Sequence, residues 1–161
     1  MHHWIGGKIR NSTSSEELWF SEGFTEYFAH VLMKEQGEIS SKQFVKIQKK
    51  IYKELKSSKY ATLSNKDVYL QASEDETSFE KIPYQRGFLY AVYLDKRIRS
   101  HSDNSYNLKS LMLKILDDTS GHHFSNAYFK KVLGQFLSQD EIANFEEFII
   151  KGAPISKNAL F

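Results

Sequence analysis

Apolar residues recur along this chain at helical rather than alternating spacing, and only Pro83 and Pro154 interrupt them. That periodicity points to an all-α fold, because sheets need a period of two and turn residues at short intervals. The pattern predicts about six helices. The first runs from Ser21 to Gln36, with Phe24, Tyr27, Phe28, Val31 and Leu32 on one face and Gly37 as its stop. A second begins at Ser40 or Ser41, with Phe44, Ile47, Ile51 and Leu55 inward and a lysine-rich outer face. Pro83 suits the first turn of a third, reaching about Ser100. Three more span Asn107 to about Asp117, Ser125 to about Leu137, and Gln139 to Lys151 with Ser138 as cap and Gly152 as stop. The polar stretch from Ser57 to Ile82 reads as a long ordered loop, and the tail from Ala153 onward as extended.

With 161 residues, 40% of them hydrophobic and 14% aromatic, the chain is sized for a single helical domain over 1–161 with one sizeable core. Its charges nearly cancel, at +2, so the overall field offers nothing to draw in nucleic acid or an anionic membrane. Function must then reside in a local site. The absence of cysteine excludes disulfides, thiolate metal sites and a Cys nucleophile, and leaves the compartment open. No window approaches the roughly 20 apolar residues of a membrane span, and the N-terminus lacks the pattern of a signal peptide.

The chemistry-bearing segment is the beginning. His2-His3-Trp4-Ile5-Gly6-Gly7 is followed by Leu18-Trp19-Phe20-Ser21-Glu22-Gly23-Phe24-Thr25-Glu26-Tyr27. A helix bearing H-E-x-x-H presents two imidazoles to zinc with a general base between them, and many such sites take a third ligand from a later helix. Glu22 is a candidate for that ligand. Taken alone, Glu22 would be explained by the favourable helix dipole at an N-terminus. Likewise His2 and His3 would read as a terminal pair, Tyr84 as an amphipathic core tyrosine, and Trp4 and Trp19 as core. His30, His101, His122 and His123 have no neighbours in sequence that suggest chemistry.

Together these segments resemble the gluzincin zinc aminopeptidases, in which H-E-x-x-H-x-W-x-G precedes a helix of the form N/S-E-G-F/H-x-x-Y. Trp4 to Arg10 followed by Ser21-Glu22-Gly23-Phe24-Thr25 looks most like the glycyl aminopeptidase branch. Pro83-Tyr84-Gln85-Arg86-Gly87-Phe88 resembles the P-Y-E-K-G-F stretch of the alanyl aminopeptidases and leukotriene hydrolase.

The resemblance implies the helical C-terminal subdomain of a thermolysin-like zinc peptidase catalytic domain. Carried over, Glu22 and His2 are metal ligands, with His3 as the alternative. Nineteen residues separate His2 from Glu22 and eighteen separate His3 from it, so counting favours His3, while the x-W-x-G context that depends on ligand-helix geometry favours His2. Tyr84 is implied as the catalytic hydroxyl that stabilises the oxyanion, and Glu26 and Thr25 as residues that order a zinc-bound histidine. Arg86 stands where the related families commonly carry Lys, as either an electrostatic support or a surface cation.

Under this assignment the first His and the catalytic Glu lie upstream. The chain then reads as truncated inside the zinc-binding helix, without tight zinc or activity of its own, and with an exposed surface suited to homodimerisation. The full-length parent would bind zinc and hydrolyse peptide substrates by a zinc-activated water. A helical interaction module that has kept the fold and lost catalysis is the other class of function open to such a sequence.

Overall fold

The computed structural model of the chain describes residues 9–11, 17–71, 81–118 and 123–161. Among these the fold is all-α, with eight helices. Helix α1 opens with a π-helical turn, Trp19–Phe24, and continues as Thr25–Glu35. It is followed by α2 (Ser41–Ser57), α3 (Asn65–Gln71), α4 (Lys81–His101), α5 (Leu108–Asp118) and α6 (Asn126–Leu133). Helix α7 runs through Gln139–Phe145 into a second π-helical stretch, Glu146–Ile150, and α8 is the short Lys157–Leu160. A parallel pair of two-residue strands, β1 (Arg10–Asn11) and β2 (His123–Phe124), ties the start of the described chain to the entry of α6. No helix of the described residues is long and apolar enough to cross a membrane.

Local chemistry accounts for most boundaries. Gly37 takes a φ of 79° after α1, and Ser40 forms a full capping box with Gln43 at the start of α2. Ser125 accepts from the Tyr128 amide at the head of α6, and Gly152 takes a φ of 78° after α7.

Three expectations need revision. The stretch 57–82 is not all loop, because Ser64 caps α3 by accepting from the Asp67 amide at 3.0 Å while its hydroxyl donates to the Asp67 carboxylate at 2.6 Å. Helix α6 stops at Leu133, with Gly134 at its C-cap, rather than reaching Leu137. The tail is not wholly extended, since Ser156 caps α8 and Leu160 is buried. Ser138 does precede α7, but its side chain makes no cap bond.

Helix α4 is the hub. Every residue from Arg86 to Leu94 is buried, so this helix is apolar nearly all round and packs on neighbours on several sides. Its tightest neighbour is α1, and glycine permits the approach. A Cβ on Gly23 would lie 2.4 Å from the Gly87 Cα, and one on Gly87 would lie 1.9 Å from the Trp19 carbonyl oxygen. Beside this crossing, the buried Trp19 ring meets Phe24, Tyr90, Phe129 and Phe145 at centroid distances of 5.0 to 5.8 Å, and Phe20 stacks on Phe124 at 3.8 Å. The i→i+5 bonding of the π-turn brings Trp19 and Phe24 onto one face, so both reach this cluster. Trp19 also donates its indole N–H to Asn126 Oδ1 at 3.0 Å, as a buried indole requires.

A polar knot joins α4 to α7. The buried Glu141 carboxylate accepts from Tyr93 Oη, from Arg97 Nε at 2.5 Å and from Asn144 Nδ2 at 3.2 Å. Burial alone would raise the Glu141 carboxyl, but hydrogen bonds from Tyr93, Asn144 and Arg97 bring it below its ordinary value. The unfolded chain therefore binds the proton more readily. The stabilisation is complete above the ordinary carboxylate pKa and is lost as pH falls toward the lower folded value. Urea titrations across this range are expected to show that acid-dependent loss, and Glu141→Gln to flatten it.

Candidate active site

Five of the six residues in the π-helical turn of α1 are buried: Trp19, Phe20, Ser21, Gly23 and Phe24. Glu22 is the exception and is only half-buried. A π-turn is uncommon and recurs where a helix must aim a functional side chain.

Glu26, four residues on, lies on the same side of α1. Burial raises its carboxyl above the ordinary value, opposed by the nearby His30 and reinforced by the negative Glu54. A carboxylate held where its charge is disfavoured, beside a cleft, is a candidate for function. His30 places Nδ1 2.9 Å from the Glu26 carbonyl oxygen and its ring edge-on to Phe88 at 5.7 Å. The sequence had given His30 no role, although the i, i+4 spacing from Glu26 was a readable signal. The hydroxyl of Thr25 donates to the Ser21 carbonyl oxygen at 2.5 Å, so its proton is engaged within the helix.

The first turn of α4 carries Tyr84 and Gln85. Tyr84 is 41% exposed there, three residues before the Gly87 contact with α1, which corresponds to about 4.5 Å of helix rise. The adjacent Gln85 donates Nε2 to Glu54 Oε2 at 3.2 Å. Since Glu54 also acts electrostatically on Glu26, α2 bridges the Glu26 side of α1 and the Tyr84 end of α4. Glu22, Glu26 and Tyr84 thus sit on two helices clamped at Gly23 and Gly87.

Arg86 is neither a surface cation nor directed at that site. It is 3% exposed, and its guanidinium donates to Asn65 Oδ1 at 2.5 Å and to the carbonyl oxygens of Ala61 and Leu63 at 3.2 and 2.8 Å. Burial lowers its pKa to about 10. It holds the segment between α2 and α3 onto α4. Arg86→Met keeps the stem and strips these acceptors of their donor, so a loss of about 2 kcal/mol is expected in urea unfolding. Faster amide exchange over residues 58–65 is expected with it.

His2 and His3 lie outside the described residues, as do Trp4, Gly6 and His122. Among the described residues, no group of three or more His, Cys, Asp or Glu comes together as a metal cage.

The sequence profile described as M61 glycyl aminopeptidase matches residues 3–112, which is 110 of the 161 residues. The chain belongs to the M61 glycyl aminopeptidase family. No curated protein matches the chain. The M61 match takes in His3, Glu22, Glu26 and Tyr84 and ends within α5, so α6 to α8 lie beyond it. Family membership gives the chain a peptidase origin of the aminopeptidase kind.

Proposed function

We propose that this chain forms the helical part of a zinc-dependent aminopeptidase catalytic domain, with a thermolysin-like arrangement in which Glu22 ligates the metal and Tyr84 acts on the substrate. The observation that carries this reading is the clamp at Gly23 and Gly87. It fixes the turn bearing the half-buried Glu22 against the helix bearing the exposed Tyr84.

The donor set fits zinc in its chemistry, with one carboxylate on a rigid helix and one imidazole from His2, or alternatively His3. Bound zinc would polarise the scissile carbonyl and activate a water. Tyr84 donates its hydroxyl hydrogen bond to the oxyanion that develops as that carbonyl is attacked. Glu26 accepts from the free ring N–H of the ligating histidine and so sets its orientation, with Thr25 as a further acceptor. Peptides with a free N-terminus are the substrate class that the family implies.

The 161 residues contain no H-E-x-x-H, hence neither the general base nor the first histidine of such a centre. The chain alone is therefore expected to bind zinc weakly and to leave aminoacyl amides intact. A protein extended upstream through His-Glu placed two residues before His2 is expected to hold one zinc and hydrolyse them. Metal analysis and amide-hydrolysis assays on both forms decide the matter. Robust turnover by the 161-residue chain would overturn the division of the site. A folded, extended protein with neither zinc nor turnover would instead identify a helical interaction module that kept the fold without the chemistry.

A further inference from the structure

We propose that the groove between α1, α2 and α4 is a docking site for an acidic amphipathic helix of a partner protein. The groove encloses about 750 Å³ and has an apolar floor that includes Phe28, Val31, Phe44 and Val92. Leu32 and Val45 stand on its walls, 42% and 39% exposed, although apolar side chains gathered in one concave patch are usually covered.

Its rim is cationic. Asp95 and Arg99 pair with each other at 2.7 Å, which leaves Lys34, Lys49, Lys96 and Lys109 against Glu35. A helix with leucines on one face and glutamates flanking them satisfies both the floor and the rim.

The chain's own C-terminal turn shows that apolar side chains seat there. Helix α8 buries Leu160 at one end of the groove, and the Phe161 ring lies edge-on to Tyr52 at 5.9 Å beneath Lys49 Nζ, 5.7 Å from its centroid. Neighbouring apolar anchors under a lysine are thus already accommodated in a groove that Asn107 and Lys109 also line. A second copy docking by the same face would set these lysines against their own counterparts, which disfavours a symmetric dimer there.

The test uses a fluorescein-labelled helical peptide of about 18 residues, with leucines at i, i+3, i+4 and i+7 and glutamates on the flanks. A comparison peptide carries lysines in place of the glutamates. Fluorescence anisotropy with the 161-residue chain is expected to show saturable binding of the acidic peptide only, weakening as salt is raised. Leu32→Glu with Val45→Glu is expected to weaken it at least about tenfold, as is Lys49→Glu with Lys96→Glu at exposed positions that the core does not need. Circular dichroism confirms that each variant keeps its helices. Equal binding of the lysine peptide, undiminished affinity in both variants, or no saturable binding would overturn the proposal. So would sedimentation showing a dimer that Leu32→Glu abolishes, since that outcome assigns the face to a second copy.

Discussion

Gly87→Ala is expected to cost at least about 3 kcal/mol and to broaden or abolish the cooperative unfolding of the chain. The added Cβ would fall 1.9 Å from the Trp19 carbonyl oxygen, and Gly23 is equally confined, its own Cβ position lying 2.4 Å from the Gly87 Cα. Backbone stands in the way on both sides, so no rotamer change relieves the overlap. The two helices would have to separate at the point where Trp19, Phe24 and Tyr90 interlock. Domains of this size carry only about 5 to 15 kcal/mol of net stability, so one such substitution removes a large share of it. Urea titration followed by circular dichroism measures the loss, and a wild-type midpoint for Gly87→Ala would show that the helices do not meet as closely as described.

Glu22→Gln, in a protein extended upstream by the His-Glu pair that the proposed function calls for, is expected to lower aminopeptidase turnover by about a thousandfold or more. Bound zinc should be lost with it, because a neutral amide is a poor ligand for a cation that a carboxylate had helped to neutralise. Stability should change far less than turnover, since Glu22 is the one residue of its turn that is not buried. That combination separates a ligand from a structural carboxylate.

Two neighbouring substitutions sharpen the test. Tyr84→Phe is expected to retain zinc while reducing kcat about a hundredfold, the usual cost of one oxyanion donor. Retained turnover in Tyr84→Phe would leave that tyrosine without its role. Glu26→Gln is expected to cost about ten- to a hundredfold through the orientation of a ligating histidine. It should also make the fold more stable at neutral pH. The raised folded pKa of Glu26 means that stability is fully present below its ordinary value and is lost as pH rises through the folded one.

The residues nominated at the site were readable because the motifs are local. Ser21-Glu22-Gly23-Phe24 and Pro83-Tyr84-Gln85-Arg86-Gly87-Phe88 each nominate a side chain within six residues. Arg86 shows the limit of such reading. The same position serves a surface cation, a site cation or a buried clamp, and its acceptors lie 21 to 25 residues away. The groove was equally hidden, because its lining is drawn from α1, α2, α4, α5 and α8 and its rim charge emerges only once Asp95 and Arg99 have paired. Helix α3 was missed for a different reason. Its Ser64–Asp67 cap was visible, but seven residues with one buried side chain carry too weak a period to stand out from a polar stretch.

By itself, then, the sequence determined the all-α character, most helix limits and the side chains available for chemistry, since these depend on capping, periodicity and short motifs within a turn or two. Only the tertiary structure decided that Gly23 and Gly87 are the same contact, that Arg86 faces inward and that α1, α2 and α4 leave a groove. Those facts depend on which surfaces exclude water together, and the participating residues lie too far apart in the chain for local propensity to specify it.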